Sequence, residues 1–256
     1  MTLIAITKPV PPTINECELS HMDRQPIDVM RAQEQHAEYE RALEAIGCTI
    51  ERLPIEAANP DSVFVEDSAI VLPEIAIITR PGAPSRRGET ASVAATLRRY
   101  RSLSAIEEPA TLDGGDVLCI GKRIFVGRSA RTNDAGIGQL RTIVETFGYD
   151  VEPVPVTACL HLKSAVTQVS DAAVLLNRKW IDASCFRRFE IIDVDDAEPQ
   201  AANALFVRGR VMFPRAFPRT RETLERRGIA VDTIDASELA KAEGGLTCCS
   251  IIVESV

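Results

Sequence analysis

Short apolar runs recur along this chain in a constant order. Two neighbouring runs are parted by a turn, a stretch with apolar residues three and four apart follows, and another short run closes the set. The runs suit strands, and the three-and-four spacing is one face of a helix. The order is first complete at residues 63–72 (VFVEDSAIVL) and 75–79, a helix over 89–100 and a strand around Ile106. It returns as strands 116–120 and 123–126 across Gly121-Lys122, a helix over 134–147 and a strand over 151–156. In that helix Ile137, Leu140, Val144 and Phe147 share a face, and Gly148 is the expected stop. A third copy spans 164–169, 173–177, a short helix at 183–188 and 190–194, and a fourth spans 204–207, 210–213, a helix over 220–227 and 230–234. The fifth begins at 246–253 and is completed from the other end of the chain, by strand 3–7, a helix over 28–46 and strand 49–53.

This predicts an α/β fold of five ββαβ units arranged as a five-bladed propeller, closed by pairing the N- and C-terminal strands. No linker or low-complexity stretch divides the 256 residues, so a single domain over 1–256 is expected. With 45% hydrophobic and 26% charged residues the composition is that of a globular protein. A net charge of −8 argues against a nucleic-acid partner. The small basic clusters at Arg98-Arg99 and Arg226-Arg227 fall at helix ends, where cations suit the dipole. No apolar run is long enough to span a membrane. The opening MTLIAITKPVPP reads as a strand stopped by prolines rather than as a signal peptide. Seven irregularly spaced cysteines without a CxxC point to the reducing cytoplasm and away from disulfides or a zinc site.

In a closed ring, polar residues that interrupt the strands meet at the axis. Glu66-Asp67 interrupt a β-branched run, where an unpaired carboxylate would be costly and an organic cation is a sensible partner. Asp113 begins the Asp-Gly-Gly-Asp turn before the next unit. His161 opens the equivalent strand of the third unit, whereas His36 lies on the apolar face of the first helix as a core residue and His21 lies in a polar loop. Cys248 and Cys249 follow Gly244-Gly245 in the fifth unit, and strand alternation would turn one of them to the axis and the other to the core. A cysteine, a histidine and an acid from separate units form a nucleophile, base and orienter set. Arg86-Arg87 and Arg131 occupy loops, and arginine is the fork that grips a carboxylate.

These segments, PDSVFVED (60–67), TRPGAPSRRGE (79–89), LDGGDVL (112–118), FVGRSARTN (125–133), LHLKS (160–164), AAN (201–203) and LTCCS (246–250), resemble the dimethylarginine dimethylaminohydrolases. These are guanidino-group modifying enzymes with the pentein fold, and the resemblance covers nearly the whole chain. It implies Cys248 as nucleophile, His161 as general acid/base and Asp113 as the acid beside it. It further implies Glu66 and Asp67 on the guanidinium, Arg86 and Arg131 on the substrate carboxylate, and Asp61 as a further contact. The backbone of Ala242 would meet the substrate's amino group, and Leu19 would be the leucine of a lid loop. Neither metal nor cofactor is implied; the partner is a small guanidino substrate, and a homodimer is left open. Relatives acting on arginine itself commonly carry His-x-Asp. Here the segment is His161-Leu162-Lys163, which favours an alkylated guanidine hydrolysed to citrulline and an alkylamine through a covalent thiouronium. Another guanidino substrate, or a ligand-binding pentein without catalysis, are the alternatives.

Overall fold

A computed structural model describes residues 2–255. β1 (Thr2–Thr7) is followed by α1 (Val29–Ala45) and β2 (Cys48–Arg52), which returns parallel to β1 with Ile4 opposite Thr49. The second blade is β3 (Ala69–Val71), β4 (Ile75–Ile78), α2 (Thr90–Leu97) and β5 (Ser102–Ala105); the third is β6 (Val117–Ile120), β7 (Arg123–Arg128), α3 (Asp134–Glu145) and β8 (Asp150–Pro155). The fourth contains the one-turn helix α4 (Leu162–Ala165), β9 (Val166–Gln168), β10 (Ala173–Leu176) and β11 (Glu190–Asp193). The fifth contains β12 (Leu205–Val207), β13 (Arg210–Pro214), α5 (Pro218–Arg226) and β14 (Ala230–Ile234). After α6 (Ser237–Ala240), β15 (Ile251–Ser255) pairs antiparallel with β1, placing Val253 opposite Ile4 and closing the ring. Each sheet has three strands, an antiparallel pair and a parallel return, so the predicted five-bladed α/β propeller is the fold observed.

Helix ends follow the sequence. Asp28 caps α1 by accepting the Arg31 N–H at 3.1 Å, and Asn133 caps α3 through the Gly136 N–H at 2.8 Å. Gly47 (φ +90°) and Gly148 (φ +75°) take the left-handed conformation just past α1 and α3. Ile137, Leu140 and Val144 of α3 bury against Ile124, Val126 and Val151 of their sheet, and comparable clusters fill the other blades. The first strand of every hairpin faces the axis: Ile70, Leu118, Thr167, Leu205 and Ile252 line one axial cavity of about 240 Å³. Among the described residues no helix is long and apolar enough to cross a membrane.

The structure corrects the expected strands where they approach the site. Residues 65–68, 114–116 and 247–249 form 3-10 turns, and His161 caps α4 rather than opening a strand. Side chains there satisfy backbone N–H groups that a ladder would otherwise take: Asp67 accepts from Gly115, Asp116 from Leu162 and Asn203 from Thr247. The short helix expected at 183–188 is a 3-10 turn, Ala183–Phe186, whose Phe186 packs on Phe125 with ring centroids 4.6 Å apart.

Candidate active site

Cys248 lies in the 3-10 turn Thr247–Cys249 that leads into β15. The glycines before it let this turn press inward: a Cβ on Gly244 would fall 2.2 Å from the Phe64 ring, and one on Gly245 2.4 Å from the Asn203 side chain. Asn203 then fixes the turn, accepting from the Thr247 N–H at 3.1 Å and donating to Thr247 Oγ1 at 3.0 Å. Cys248 borders the cavity and Cys249 is buried in the core, the split expected from sequence but produced by a turn instead of strand alternation. Burial pushes the Cys248 thiol up to about 12, helped by the carboxylates of Glu66 and Asp67 and opposed by the Gly245 N–H, which points at Sγ from 3.4 Å.

His161 faces the same cavity from the end of the fourth blade. Its Nε2 lies 3.0 Å from Asp113 Oδ2, while Nδ1 lies 3.9 Å from Asp67 Oδ1. Burial disfavours the imidazolium, but Asp67, then the Asp113 hydrogen bond and Asp116, outweigh it and push the pKa up to about 9. Asp113 is fully buried; its Oδ1 accepts the Gly82 N–H at 2.8 Å and its backbone N–H donates to Thr132 Oγ1. Only glycine fits at 115, where a Cβ would sit 2.6 Å from His161 Nδ1.

The carboxylates separate into two environments. Asp67 accepts from Arg86 Nη1 at 2.6 Å and from the Gly115 N–H at 2.8 Å. Although it is buried, His161 and Arg86 hold it well below the ordinary carboxylate range. Glu66 pairs with Lys163 through Oε1, and its buried Oε2 has no hydrogen-bond partner. Burial raises Glu66 to about 7 despite Lys163. Glu66 and Lys163 line the axial cavity, whereas Asp67 lines the cavity at Cys248. Arg86 lines the site but is committed to protein acceptors: Asp67, Glu89 and the carbonyls of Asp61 and Phe64. Arg131 is less engaged, donating to Ser20 Oγ at 3.2 Å and lying 3.9 Å from Asp113.

The remaining wall is Asp61, Phe64, Leu160, Ala242 and a loop contributing Glu18. Glu18 is tied down twice, its N–H donating to Asp61 Oδ2 at 3.1 Å and its carboxylate accepting from Ser85 Oγ at 2.6 Å. Leu19 does not border the cavity; it packs on the apolar cluster against which Cys248 also rests. With this loop down, the cavity measures only about 10 Å³, roughly one water. Cys248 also borders a wider apolar groove of about 360 Å³ with Leu160, Trp180 and Phe217, on which His21 and Met22 form one wall.

The structure thus brings Cys248, His161, Asp61, Asp67, Arg86, Arg131 and Ala242 around one cavity, with Asp113 behind His161 and Leu19 in the covering loop; Glu66 lines the axial cavity instead. Sequence reasoning missed Lys163, Asp116, Glu89, Glu18 and Glu243. Glu89 carried a signal, an acid three residues after Arg86, whereas the others act across long sequence separations. His36 is buried as expected but is not fully satisfied: Nε2 lacks a partner, and burial lowers its pKa to about 4. Asp67, Asp113 and His161 offer ligand atoms within 4.8 Å of one another, a grouping with metal-ligand chemistry that the sequence had not suggested.

Fold and site together define a pentein with a cysteine, a hydrogen-bonded histidine–carboxylate pair and further carboxylates around one cavity. No family model matches the chain. It is 41% identical over 252 residues to the N(G),N(G)-dimethylarginine dimethylaminohydrolase of Streptomyces coelicolor, covering 96% of this chain and 95% of that one. It is 39% identical over 226 residues to the Pseudomonas aeruginosa protein of the same name, covering 88% and 89%. A mutant of the Pseudomonas enzyme solved with citrulline superposes with a TM-score of 0.93 at 35% identity, over 98% of this chain and 99% of that one. The N-terminal domain of the cyanobacterial arginine dihydrolase ArgZ shares the fold, with a TM-score of 0.86 at 18% identity over 100% and 98%. The chain belongs to the dimethylarginine dimethylaminohydrolase family.

Proposed function

We propose that this protein hydrolyses N-omega-methylated arginines to citrulline and methylamine or dimethylamine, with Cys248 as nucleophile. The observation that carries the assignment is Cys248, the Asp113-bound His161 and the Asp67 carboxylate on one cavity. Asp67 and Glu66 already have cationic partners in Arg86 and Lys163; what a guanidinium adds is further N–H donors for these carboxylates, the unpartnered Glu66 oxygen among them.

Bound cation also offsets the carboxylates that hold Cys248 as a thiol, and the thiol proton leaves to solvent. The thiolate attacks the guanidinium carbon and forms the C–S bond. His161, protonated at neutral pH, gives its proton to the alkylated nitrogen as the C–N bond breaks, and the amine leaves. The covalent thiouronium remains. His161, now neutral, takes a proton from water, the oxygen adds to the same carbon, and the C–S bond breaks to return Cys248 and citrulline. Arg131 and Arg86 on the substrate carboxylate, Asp61, the Ala242 backbone and Leu19 complete the proposed contacts. Arginine itself is the less favoured substrate. The residue two after His161 is Lys163, which turns to Glu66, so that segment offers no second carboxylate to guanidinium N–H groups.

The whole of 1–256 is proposed to act as one catalytic domain, and the free cysteines support a cytoplasmic setting. Sedimentation separates a monomer from a homodimer. The test of function is product analysis with asymmetric dimethylarginine, monomethylarginine and arginine, with Cys248→Ser as control. Citrulline and alkylamine in equal amounts from the methylated substrates, abolished by the substitution, is the expected result. Turnover of arginine alone would overturn the substrate assignment.

A further inference from the structure

One side chain that helps to fasten the loop over the site belongs to none of the roles above. Glu243 is a non-glycine residue in the left-handed region, at φ +55°. That backbone is uncommon for glutamate. Its carboxylate accepts from three consecutive backbone N–H groups of the covering loop: Ser20 at 3.1 Å, His21 at 2.5 Å and Met22 at 2.7 Å. Successive amides converging on one anion form a nest. Loop residues 20–22 are exposed and carry little apolar burial of their own. The loop's other ties run to Asp61, Arg131 and Ser85, and the first two are groups that a substrate would engage. Glu243 immediately follows Ala242 and lines the same cavity, so latch and substrate wall share one stretch of backbone.

We propose that Glu243 is a positioning residue: its carboxylate latches the loop at residues 20–22 shut over the cavity, so that closure is coupled to substrate retention. The idea rests on the cavity being the reaction site, but the holding of the loop is measurable without turnover. With the loop down, the cavity shared by Cys248, His161 and Arg131 holds only about 10 Å³, so an amino acid can occupy it only if the loop moves, and Glu243 then sets how strongly it recloses.

Glu243→Gly tests this with the backbone retained, because glycine suits the left-handed turn while the carboxylate is lost. Amide exchange at Ser20, His21 and Met22 is expected to quicken at least tenfold, with amides of β7 and α3 unchanged. Alkylation of Cys248 should quicken in parallel. KM for the methylarginine should rise about tenfold with kcat within threefold, since lost closure is lost binding. Glu243→Gln keeps the strain and an acceptor oxygen but not the charge, and should fall between the two. Unchanged exchange at the three amides in Glu243→Gly would overturn the latch even in a chain that turns over no substrate. A fall in kcat at unchanged KM would overturn the coupling to substrate retention.

Discussion

Asp113→Asn removes one charge from a buried position and nearly no volume. Asp113 Oδ1 accepts the Gly82 N–H at 2.8 Å, and Oδ2 meets His161 Nε2 at 3.0 Å. The Gly82 amide can only donate, so the oxygen of the new carboxamide stays with it and the NH2 group turns to His161. A donor then faces Nε2, which must become the acceptor. The imidazolium loses a charge-assisted hydrogen bond worth roughly 1.5–3 kcal/mol. At about 1.4 kcal/mol per pH unit, the pKa of His161 falls by about one to two units from its value of about 9. The neutral ring also carries its proton on Nδ1, which faces the cavity and must be bare to take a proton from water in the second step. Together these should lower kcat about a hundredfold or more. Citrulline formation gives kcat, and NMR titration of the imidazole signals gives the pKa directly; with three histidines the assignment is short work. A variant within threefold of the parent in kcat, with an unmoved His161 titration, would refute the role given to Asp113.

Stability should also depend on His161. Its folded pKa is raised above the ordinary 6.5, so its contribution is complete below about pH 6.5 and is lost as pH rises through 9. Glu66, raised to about 7, slopes the same way between about pH 4.5 and 7. The His161 share is about 3 kcal/mol, so calorimetry should find Tm lower by about 6–12 °C at pH 9.5 than at pH 6, and Asp113→Asn should flatten that slope. Lys163→Met leaves Glu66 buried without its counterion and should cost about 3–5 kcal/mol by urea denaturation. Adding Glu66→Gln should recover most of that stability but no activity; if activity returns as well, Glu66 does not bind the guanidinium. Gly115→Ala puts a methyl 2.6 Å from His161 Nδ1 and 2.8 Å from Asp67 Oδ1, so kcat should drop at least a hundredfold with the circular-dichroism spectrum retained.

Repetition made the blades legible. Each unit shows two periods, and both follow from which face of an element is buried: α3 and its sheet can be read from Ile137, Leu140 and Val144 alone. The terminal pairing was legible for the same reason, since a lone β15 and a lone β1 each lacked a partner. Residue roles at the site came from the resemblance more than from pattern. Pattern failed at the turns: VFVED reads as a strand by composition, yet Val65–Ser68 is a 3-10 turn. The Lys163–Glu66 pair joins residues 97 apart, and the Glu243 bond to the Met22 N–H spans 221. Neither leaves a local trace, because surface-like residues at those positions would give the same sequence pattern.

Those misread turns share one cause. The Asp67 bond to Gly115 spans 48 residues, the Asp116 bond to Leu162 spans 46 and the Asn203 bond to Thr247 spans 44. His161 and Asp113 are again 48 apart. Each interval is about one repeat, so equivalent positions in neighbouring blades are being stitched together at the same end of the ring. Asn203 also donates to the Lys163 carbonyl at 3.1 Å, carrying the stitching from the fourth blade to the fifth. A side chain that takes its neighbour's backbone N–H releases that segment from the strand ladder. The released segments turn inward and carry Asp67, Asp113, His161 and Cys248 to the cavity. A strand pattern broken by an acid or amide at the same place in successive repeats is therefore the mark of the site. In this chain it marks the end of the ring at which the blades are tied and the chemistry is assembled.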